Sequence, residues 1–137
     1  MRRVLYDLNI ILDVLLRREP FLPASAAALD AVTQPGTEGF LSGHAVTTLF
    51  YLLRRNVGAD EAHELLAHLL ARLRVAPVTD SGVREALARS FKDFEDAVTV
   101  SAAEEVEATV IVTRNPVDFA RSPVPAVLPE VFLVPGS

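Results

Sequence analysis

Three aspartates, far apart in the chain, stand where α/β proteins commonly carry out chemistry. Asp7 follows a short apolar run, and Asp118 follows the run TVIVT at positions 109–113, which has the composition of a buried strand. Asp96 lies in the predicted first turn of the helix that precedes that run. Because parallel sheets bind ligands outside the carboxyl ends of their strands, we expect these carboxylates to converge there. Carboxylates held together repel one another unless a cation such as Mg²⁺ or Mn²⁺ is bound.

The same acids also have a structural interpretation, which the residues alone leave open. Asp7 is suited to cap the first predicted helix. Asp93 and Asp96 have the spacing of an N-cap and a first-turn acid, and so have Asn115 and Asp118. Helix caps are common enough that capping is the favoured interpretation of each acid taken singly. The joint pattern is more specific than its parts and favours a shared site.

The elements that must position these acids alternate between strand and helix. The predicted strands are 4–6, 39–41, 74–78 and 109–113. The predicted helices are 10–16, 20–32, a segment capped by Ser42 that runs to Arg55, 59–73, a segment capped by Asp80 or Ser81 that runs to Ser90, a segment from Asp93 to Glu107, and 115–119. A proline-rich stretch, 123–129, leads to a last apolar run at 131–134. This alternation predicts a three-layer α/β/α sandwich with a mostly parallel central sheet.

Length and composition agree with that architecture and exclude several classes of protein. A chain of 137 residues that is half hydrophobic and 23% charged predicts a single folded domain, residues 1–137. The lack of cysteine excludes disulfides, cysteine-based zinc sites and thiol nucleophiles. Without a long apolar segment or a signal peptide, we expect a soluble cytoplasmic protein with no membrane partner. The net charge of −5 argues against a general DNA-binding protein.

Other phosphate and metal chemistries fit the sequence poorly. The six glycines match neither the dinucleotide-binding nor the P-loop spacing, and the histidines form no HExxH motif. Phosphoryl transfer on an aspartate, as in receiver domains, needs a lysine after a late strand, whereas Lys92 is the only lysine and precedes a helix. His44 lies near the end of the second predicted strand, and a buried or capping role is favoured for it.

The amino-acid sequences of four segments resemble motifs of the PIN-domain family, in the same order and with similar spacing. These segments are VLYDLNIILD at 4–13, SGHA at 42–45, DFEDA at 93–97 and VTRNPVDF at 112–119. The resemblance covers essentially the whole chain, and the second pair of aspartate-containing segments is its most specific part. It implies a metal-dependent ribonuclease. Short prokaryotic members are often the toxin of a toxin–antitoxin pair of the VapC type.

Carried over residue by residue, the resemblance assigns the metal-binding and catalytic acids to Asp7, Asp96 and Asp118. It assigns polar support of the site to Asn9, Thr48, Thr113 and Asn115. Asp13 matches a further acid of this subgroup, but a helix-packing or solvated carboxylate is the favoured interpretation. Arg114 is the arginine that we expect to contact RNA, because it stands between residues of the site.

The chain departs from the family at one acid. Most PIN nucleases carry a glutamate early in the helix after the second strand, about where Thr47 or Thr48 stands, and no acid occurs between Ser42 and Arg55. Two-metal hydrolysis uses one ion to activate water and another to stabilise the leaving oxygen. With three acids, a single-ion or substrate-assembled site is easier to defend. The alternative is a catalytically degenerate scaffold that binds RNA or a protein partner without cleavage.

The implied partners are RNA, an antitoxin protein and a second copy of the chain in a homodimer. The segments 20–32 and 59–73 are candidate contact surfaces, because the high apolar content suggests that a partner covers some helix face. A large core is the competing explanation for the same composition. Arg54, Arg55 and Arg121 are candidates for steering phosphates toward the acids, although a solvated face is the favoured interpretation of each.

Overall fold

A central sheet of five parallel strands organises the protein, as seen in a computed structural model that describes residues 1–133. The strands are β1 (Arg2–Tyr6), β2 (Thr37–Ser42), β3 (Arg74–Ala76), β4 (Val110–Val112) and β5 (Ala126–Val127). Their order in the sheet is β3-β2-β1-β4-β5, and every neighbouring pair is parallel. The predicted α/β fold with a mostly parallel sheet is therefore confirmed.

Helices cover the sheet. They are α1 (Leu8–Leu15), α2 (Leu22–Asp30), α3 (Gly43–Val57), α4 (Ala59–Leu70), α5 (Asp80–Ala88), α6 (Phe94–Glu105) and α7 (Pro129–Phe132). The described elements also include two short 3₁₀ segments, Ala31–Thr33 and Pro116–Phe119. Pro23, Pro116 and Pro129 lie in the first turn of their helical segments, where the N–H that proline lacks is not needed.

Alternation along the strands divides the core into two layers. On β1, Val4 and Tyr6 pack into one core with residues of α1, α2, α3, α4 and α7. Leu5, between them, packs into the other core with Val100 and Ala103 of α6. Successive side chains of a strand point to opposite faces, so one short strand anchors both helix layers. This arrangement is the three-layer sandwich that the sequence predicts.

One predicted helix cap was wrong, and two segments for which the sequence predicts no element contain regular structure. The proline-rich stretch contains a strand, β5, whose two residues pair with Ile111 and Val112 at the edge of the sheet. Edge strands tolerate neighbouring prolines, because one side of an edge strand needs no ladder hydrogen bonds. Thr79, and not Asp80 or Ser81, caps α5 by accepting a hydrogen bond from the Gly82 N–H (3.0 Å). The last predicted apolar run is helical to Phe132, and Val134 lies outside the described residues.

The second strand passes very close to its neighbours at Gly39. A Cβ atom built there would lie 2.6 Å from Leu73 and 3.1 Å from the Tyr6 ring. The Tyr6 hydroxyl is itself fixed, because it donates a hydrogen bond to the Ala28 carbonyl (2.7 Å). Gly39 is therefore required by packing density.

Helix α4 uses most of its apolar face inside the protein. Ala62 and Leu69 are buried, and Leu65 and Leu66 pack partly buried against the same core. Leu70 is 39% exposed. A large core thus accounts for much of the apolar content, and contact between α2 or α4 and a partner stays a prediction. In the described part of the chain, no helix has the length and apolar character to cross a membrane.

Candidate active site

The first site residues lie where the direction of sheet winding reverses. β1 is flanked by β2 on one side and β4 on the other, and Tyr6 pairs in register with Val112. Asp7 and Thr113 therefore follow adjacent strands at the same level, and the Asp7 N–H donates to the Val112 carbonyl (2.9 Å). A crevice at such a reversal, beyond the carboxyl ends of the strands, is the usual binding position in open α/β sheets.

Asp7 is held in a single orientation by two hydrogen bonds. Its Oδ1 accepts from the Leu8 N–H (2.9 Å) at the start of α1, and its Oδ2 accepts from the Thr113 hydroxyl (2.8 Å). Burial raises the pKa of Asp7, and the two hydrogen bonds oppose that shift. Asp7 is thus at once a helix cap and a partly buried acid at the crevice, so the two interpretations of this residue are not exclusive.

Asp96 lies in the first turn of α6 and faces the other acids. Its pKa is raised to about 7, first by partial burial and then by the nearby carboxylates of Asp93, Asp7, Asp118 and Glu95. The N-cap of α6 is Asp93, whose Oδ1 accepts from the Glu95 N–H (2.8 Å). Capping therefore explains Asp93 and leaves Asp96 without a structural task.

Asp118 is an exposed residue of the 3₁₀ segment that follows β4. Its backbone N–H donates to the Asn115 carbonyl (3.0 Å), and its carboxylate acts on Asp96 through space. Asp96 is therefore within electrostatic reach of both Asp7 and Asp118. Within residues 1–133, however, no three histidine, cysteine, aspartate or glutamate side chains form a group that could by itself hold a metal ion.

Two further residues are neighbours of this site: His44, which the sequence offered as a residue near the site while favouring a buried or capping role, and Glu95, which the sequence did not identify. Glu95 precedes Asp96 and adds to the charges that raise the pKa values of Asp7 and Asp96. Burial lowers the pKa of His44, while the charges of Glu95 and Asp7 oppose that shift. The His44 Nδ1 is 2.5 Å from the Ser42 hydroxyl, and its buried Nε2 has no hydrogen-bond partner among the described residues. The position of His44 two residues after β2 was the available signal.

Arg114 forms an ion pair with a buried acid, Asp13, and its charge also acts on Asp7. Its Nε lies 2.9 Å from Oδ2 of Asp13, a fully buried carboxylate of α1, and its guanidinium stacks on the Phe21 ring at 3.9 Å. The Ser25 hydroxyl donates to the same Oδ2 (2.9 Å). Asp13 is therefore a helix-packing carboxylate and not a solvated one. The predicted contact of Arg114 with RNA stays a prediction, and the pair ties the 113–115 loop to α1 and α2.

Of the predicted supporting residues, the structure connects Thr113 most directly to the acids. The Thr113 hydroxyl donates to Asp7 and accepts from the Asn115 N–H (3.1 Å), so one side chain orders the loop after β4. The side chains of Asn9, Thr48 and Asn115 make no hydrogen bond to another described residue. Their support of the site stays a prediction.

Comparison with known proteins agrees with the fold. The family model described as the PIN domain matches residues 3–116. The chain is similar in structure to VapBC2 from Rickettsia felis, with a TM-score of 0.72, 15% identity and coverage of 92% of this chain and 98% of that one. It is also similar to FitAcB from Neisseria gonorrhoeae, with a TM-score of 0.73, 20% identity and coverage of 93% and 98%.

A third similar structure is VapC20 from Mycobacterium tuberculosis, described as a toxin that cleaves the sarcin–ricin loop. Its TM-score is 0.62 at 17% identity, with coverage of 79% of this chain and 86% of that one. No curated protein matches the sequence. At these identities the solved structures establish the fold alone, whereas the family model covers most of the chain. The chain belongs to the PIN-domain family.

Proposed function

We propose that the protein is a divalent-metal-dependent endoribonuclease in which Asp7, Asp96 and Asp118 hold Mg²⁺ or Mn²⁺ and direct it at RNA phosphodiesters. One observation carries the proposal. The pKa of Asp96 is raised to about 7 by burial and by neighbouring carboxylates, at the crevice beyond β1 and β4. A fold that concentrates negative charge there destabilises itself, and a bound cation reverses that penalty.

The donor set suits a hard cation. Carboxylate oxygens are the ligands that Mg²⁺ and Mn²⁺ prefer, and Mg²⁺ is commonly bound by one or two carboxylates together with waters and substrate phosphates. We therefore propose that coordination is completed by water and by the RNA, as is expected where the family's fourth acid is absent.

The chain's own residues supply orientation. The Thr113 hydroxyl and the start of α1 fix Asp7, and the Asp13–Arg114 pair anchors the loop that leads to Asp118. A bound divalent ion supplies a water of lowered pKa and neutralises charge on the phosphodiester. Rigid placement of the acids reduces the reorganisation required when the phosphate arrives.

Two features of the similar structures support the choice of substrate and partner. VapC20 is described as a toxin that cleaves the sarcin–ricin loop. VapBC2 was solved bound to a DNA fragment from its promoter, and a further similar structure is a toxin–antitoxin complex from Klebsiella pneumoniae. By analogy, we propose that this chain cleaves RNA and is the toxin of such a pair. An adjacent reading frame encoding a small DNA-binding protein that co-purifies with the chain would support the second half of the proposal.

A ribonuclease assay on purified protein tests the proposal. Single-stranded RNA is incubated with the wild type in Mn²⁺, in Mg²⁺ and in excess EDTA, alongside Asp7→Asn and a matched control, Asp60→Asn, which removes an exposed acid of α4. We expect cation-dependent cleavage that Asp7→Asn lowers by at least about 100-fold and Asp60→Asn leaves unchanged. Equal activity in EDTA would contradict the proposal.

The missing fourth acid gives a second, opposite test. Thr48→Glu restores a carboxylate where most PIN nucleases carry one. If the wild type is inactive with every divalent ion while Thr48→Glu cleaves RNA, the protein is a catalytically degenerate scaffold. The observation that favours this second candidate is the incomplete ligand set in the described residues.

A further inference from the structure

An open groove of about 900 Å³ lies directly beside the acids. Asp96 and Asp118 line one part of it, and the rest includes Lys92 and Phe94 before and at the start of α6. Arg121, just after the 3₁₀ segment, also lines it. The groove therefore continues from the proposed reaction centre and combines acidic, aromatic and basic side chains.

The aromatic part of the groove is unusually accessible. Phe94, the first residue of α6, is 48% exposed, and Val117 on the facing 3₁₀ segment is 79% exposed. Single exposed apolar residues are common on proteins. Here two of them share one groove next to ionised groups. An aromatic ring in that setting offers a stacking surface for an unpaired nucleobase, which is a contact that tolerates any base.

The basic part of the groove is available for phosphates. Lys92 and Arg121 are exposed, and neither forms an ion pair with another of residues 1–133. By contrast, Arg89 of the segment just before the groove is engaged with Glu85 and Glu104. Two cations that line one groove with Asp96 and Asp118 are available to bind backbone phosphates near the acids.

We infer that this groove binds single-stranded RNA flanking the cleaved phosphodiester, with a base stacked on Phe94 and phosphates bound by Lys92 and Arg121. An unpaired strand is required, because a base in a duplex is stacked on its neighbours and has no free face. The inference rests on the proposed function for what happens at the acids, but the binding it describes is independent of cleavage. In this inference Arg121 binds a phosphate, whereas the sequence favours a solvated position without a specific role.

Binding of a labelled single-stranded oligouridine, measured by fluorescence anisotropy in Mg²⁺, tests the inference. All variants are made in an Asp7→Asn background, so that the RNA stays intact. The groove variants are Phe94→Ala, Lys92→Gln and Arg121→Gln. The matched controls are Tyr51→Ala, an aromatic residue 56% exposed on α3, and Arg54→Gln, an exposed cation of the same helix.

We expect Phe94→Ala to weaken binding about tenfold, in the range of a lost base–aromatic stack. A plot of log K against log salt concentration falls with a negative slope, and Lys92→Gln and Arg121→Gln should each make that slope shallower by about 0.7, the value for one phosphate contact on a single strand. Both controls should stay within about twofold. A Phe94→Ala effect no larger than that of Tyr51→Ala, with all variants folded by thermal denaturation, would overturn the inference. Absence of oligouridine binding by the parent protein would overturn it as well.

The outcome is separable from that of the proposed function. Groove-dependent binding without any cleavage by the wild-type protein would support the groove and refute the nuclease. Cation-dependent cleavage by a Phe94→Ala variant with the wild-type kcat/KM would support the nuclease and refute the groove. Saturation of the groove by an apolar peptide, with no competition from RNA, would identify a protein ligand and refute the RNA assignment.

Discussion

Asp96→Asn is expected to make the metal-free protein more stable while removing its response to divalent cations. The pKa of this carboxyl rises from an ordinary 3.8 to about 7 in the folded protein. Between those values the folded protein binds more protons than the unfolded chain. The free energy of unfolding therefore falls as pH rises from about 4 to 7, and the penalty is fully present above pH 7.

The size of the effect follows from linkage. A shift from 3.8 to about 7 corresponds to roughly 4 kcal/mol for a group shielded from water. Asp96 is only partly buried, so solvent screening reduces the expected gain for Asp96→Asn to about 1–2 kcal/mol at pH 8. Near pH 4 the Asp96 carboxyl is protonated in the folded protein. The free energies of unfolding of the wild type and Asp96→Asn should then differ by less than about 0.5 kcal/mol.

Urea denaturation in EDTA at pH 4, 6 and 8 measures this difference, with Glu105→Gln as the control. Glu105 is an exposed acid at the other end of α6. Addition of Mg²⁺ at pH 8 should then stabilise the wild type and leave Asp96→Asn nearly unchanged, because a ligand stabilises only the folded state that it binds. An Asp96→Asn variant that is less stable than the wild type in EDTA at pH 8 would refute the reasoning.

Three further changes test the framework around the acids. Arg114→Met should lower the free energy of unfolding, measured in urea, by about 3–5 kcal/mol, because it leaves the buried Asp13 without its ion-pair partner. The double variant with Asp13→Leu should recover part of that loss. Gly39→Ala should cost about 1–3 kcal/mol in the same assay, since no space exists for a methyl group, and an unchanged transition would show that β2 shifts freely. Thr113→Val keeps the shape of the side chain and removes its hydroxyl, so it should lower the free energy of unfolding by about 1–3 kcal/mol. It should also lower RNA cleavage at least tenfold, because Asp7 loses the hydrogen bond that orients it. Full activity would show that the hydroxyl does not position Asp7.

The sheet was predictable because its signals are local. The run at 109–113 is β-branched throughout, and β1 ends at a polar residue that begins a helix, so strand type and the position of Asp7 both follow from the sequence. β5 lacks such a signal. Its two residues, Ala126 and Val127, stand among prolines and pair only because β4 offers them an open edge.

The site was predictable only in part, since much of it depends on contacts across the fold. Asp7 and Asp118 were identified by their position after strands. The approach of His44 and Glu95 depends on the packing of α3 and α6 over the crevice. Likewise, no local feature of the sequence near Arg114 indicates that its ion-pair partner is the buried Asp13, which lies 101 positions earlier. Long-range pairs of this kind are set by topology.

The most direct test of a cation-dependent RNA nuclease at Asp7, Asp96 and Asp118 is the chemistry of the ends it produces. End-labelled single-stranded RNA is cleaved in Mn²⁺ and the product termini are identified. Attack by a metal-activated water breaks one ester bond of the phosphodiester, so it predicts a linear phosphate on one new end, a hydroxyl on the other and no 2′,3′-cyclic phosphate. These products should disappear in EDTA and in Asp7→Asn. Products ending in a 2′,3′-cyclic phosphate, formed equally in EDTA, would contradict the account, because the RNA's own 2′-hydroxyl would then be the nucleophile.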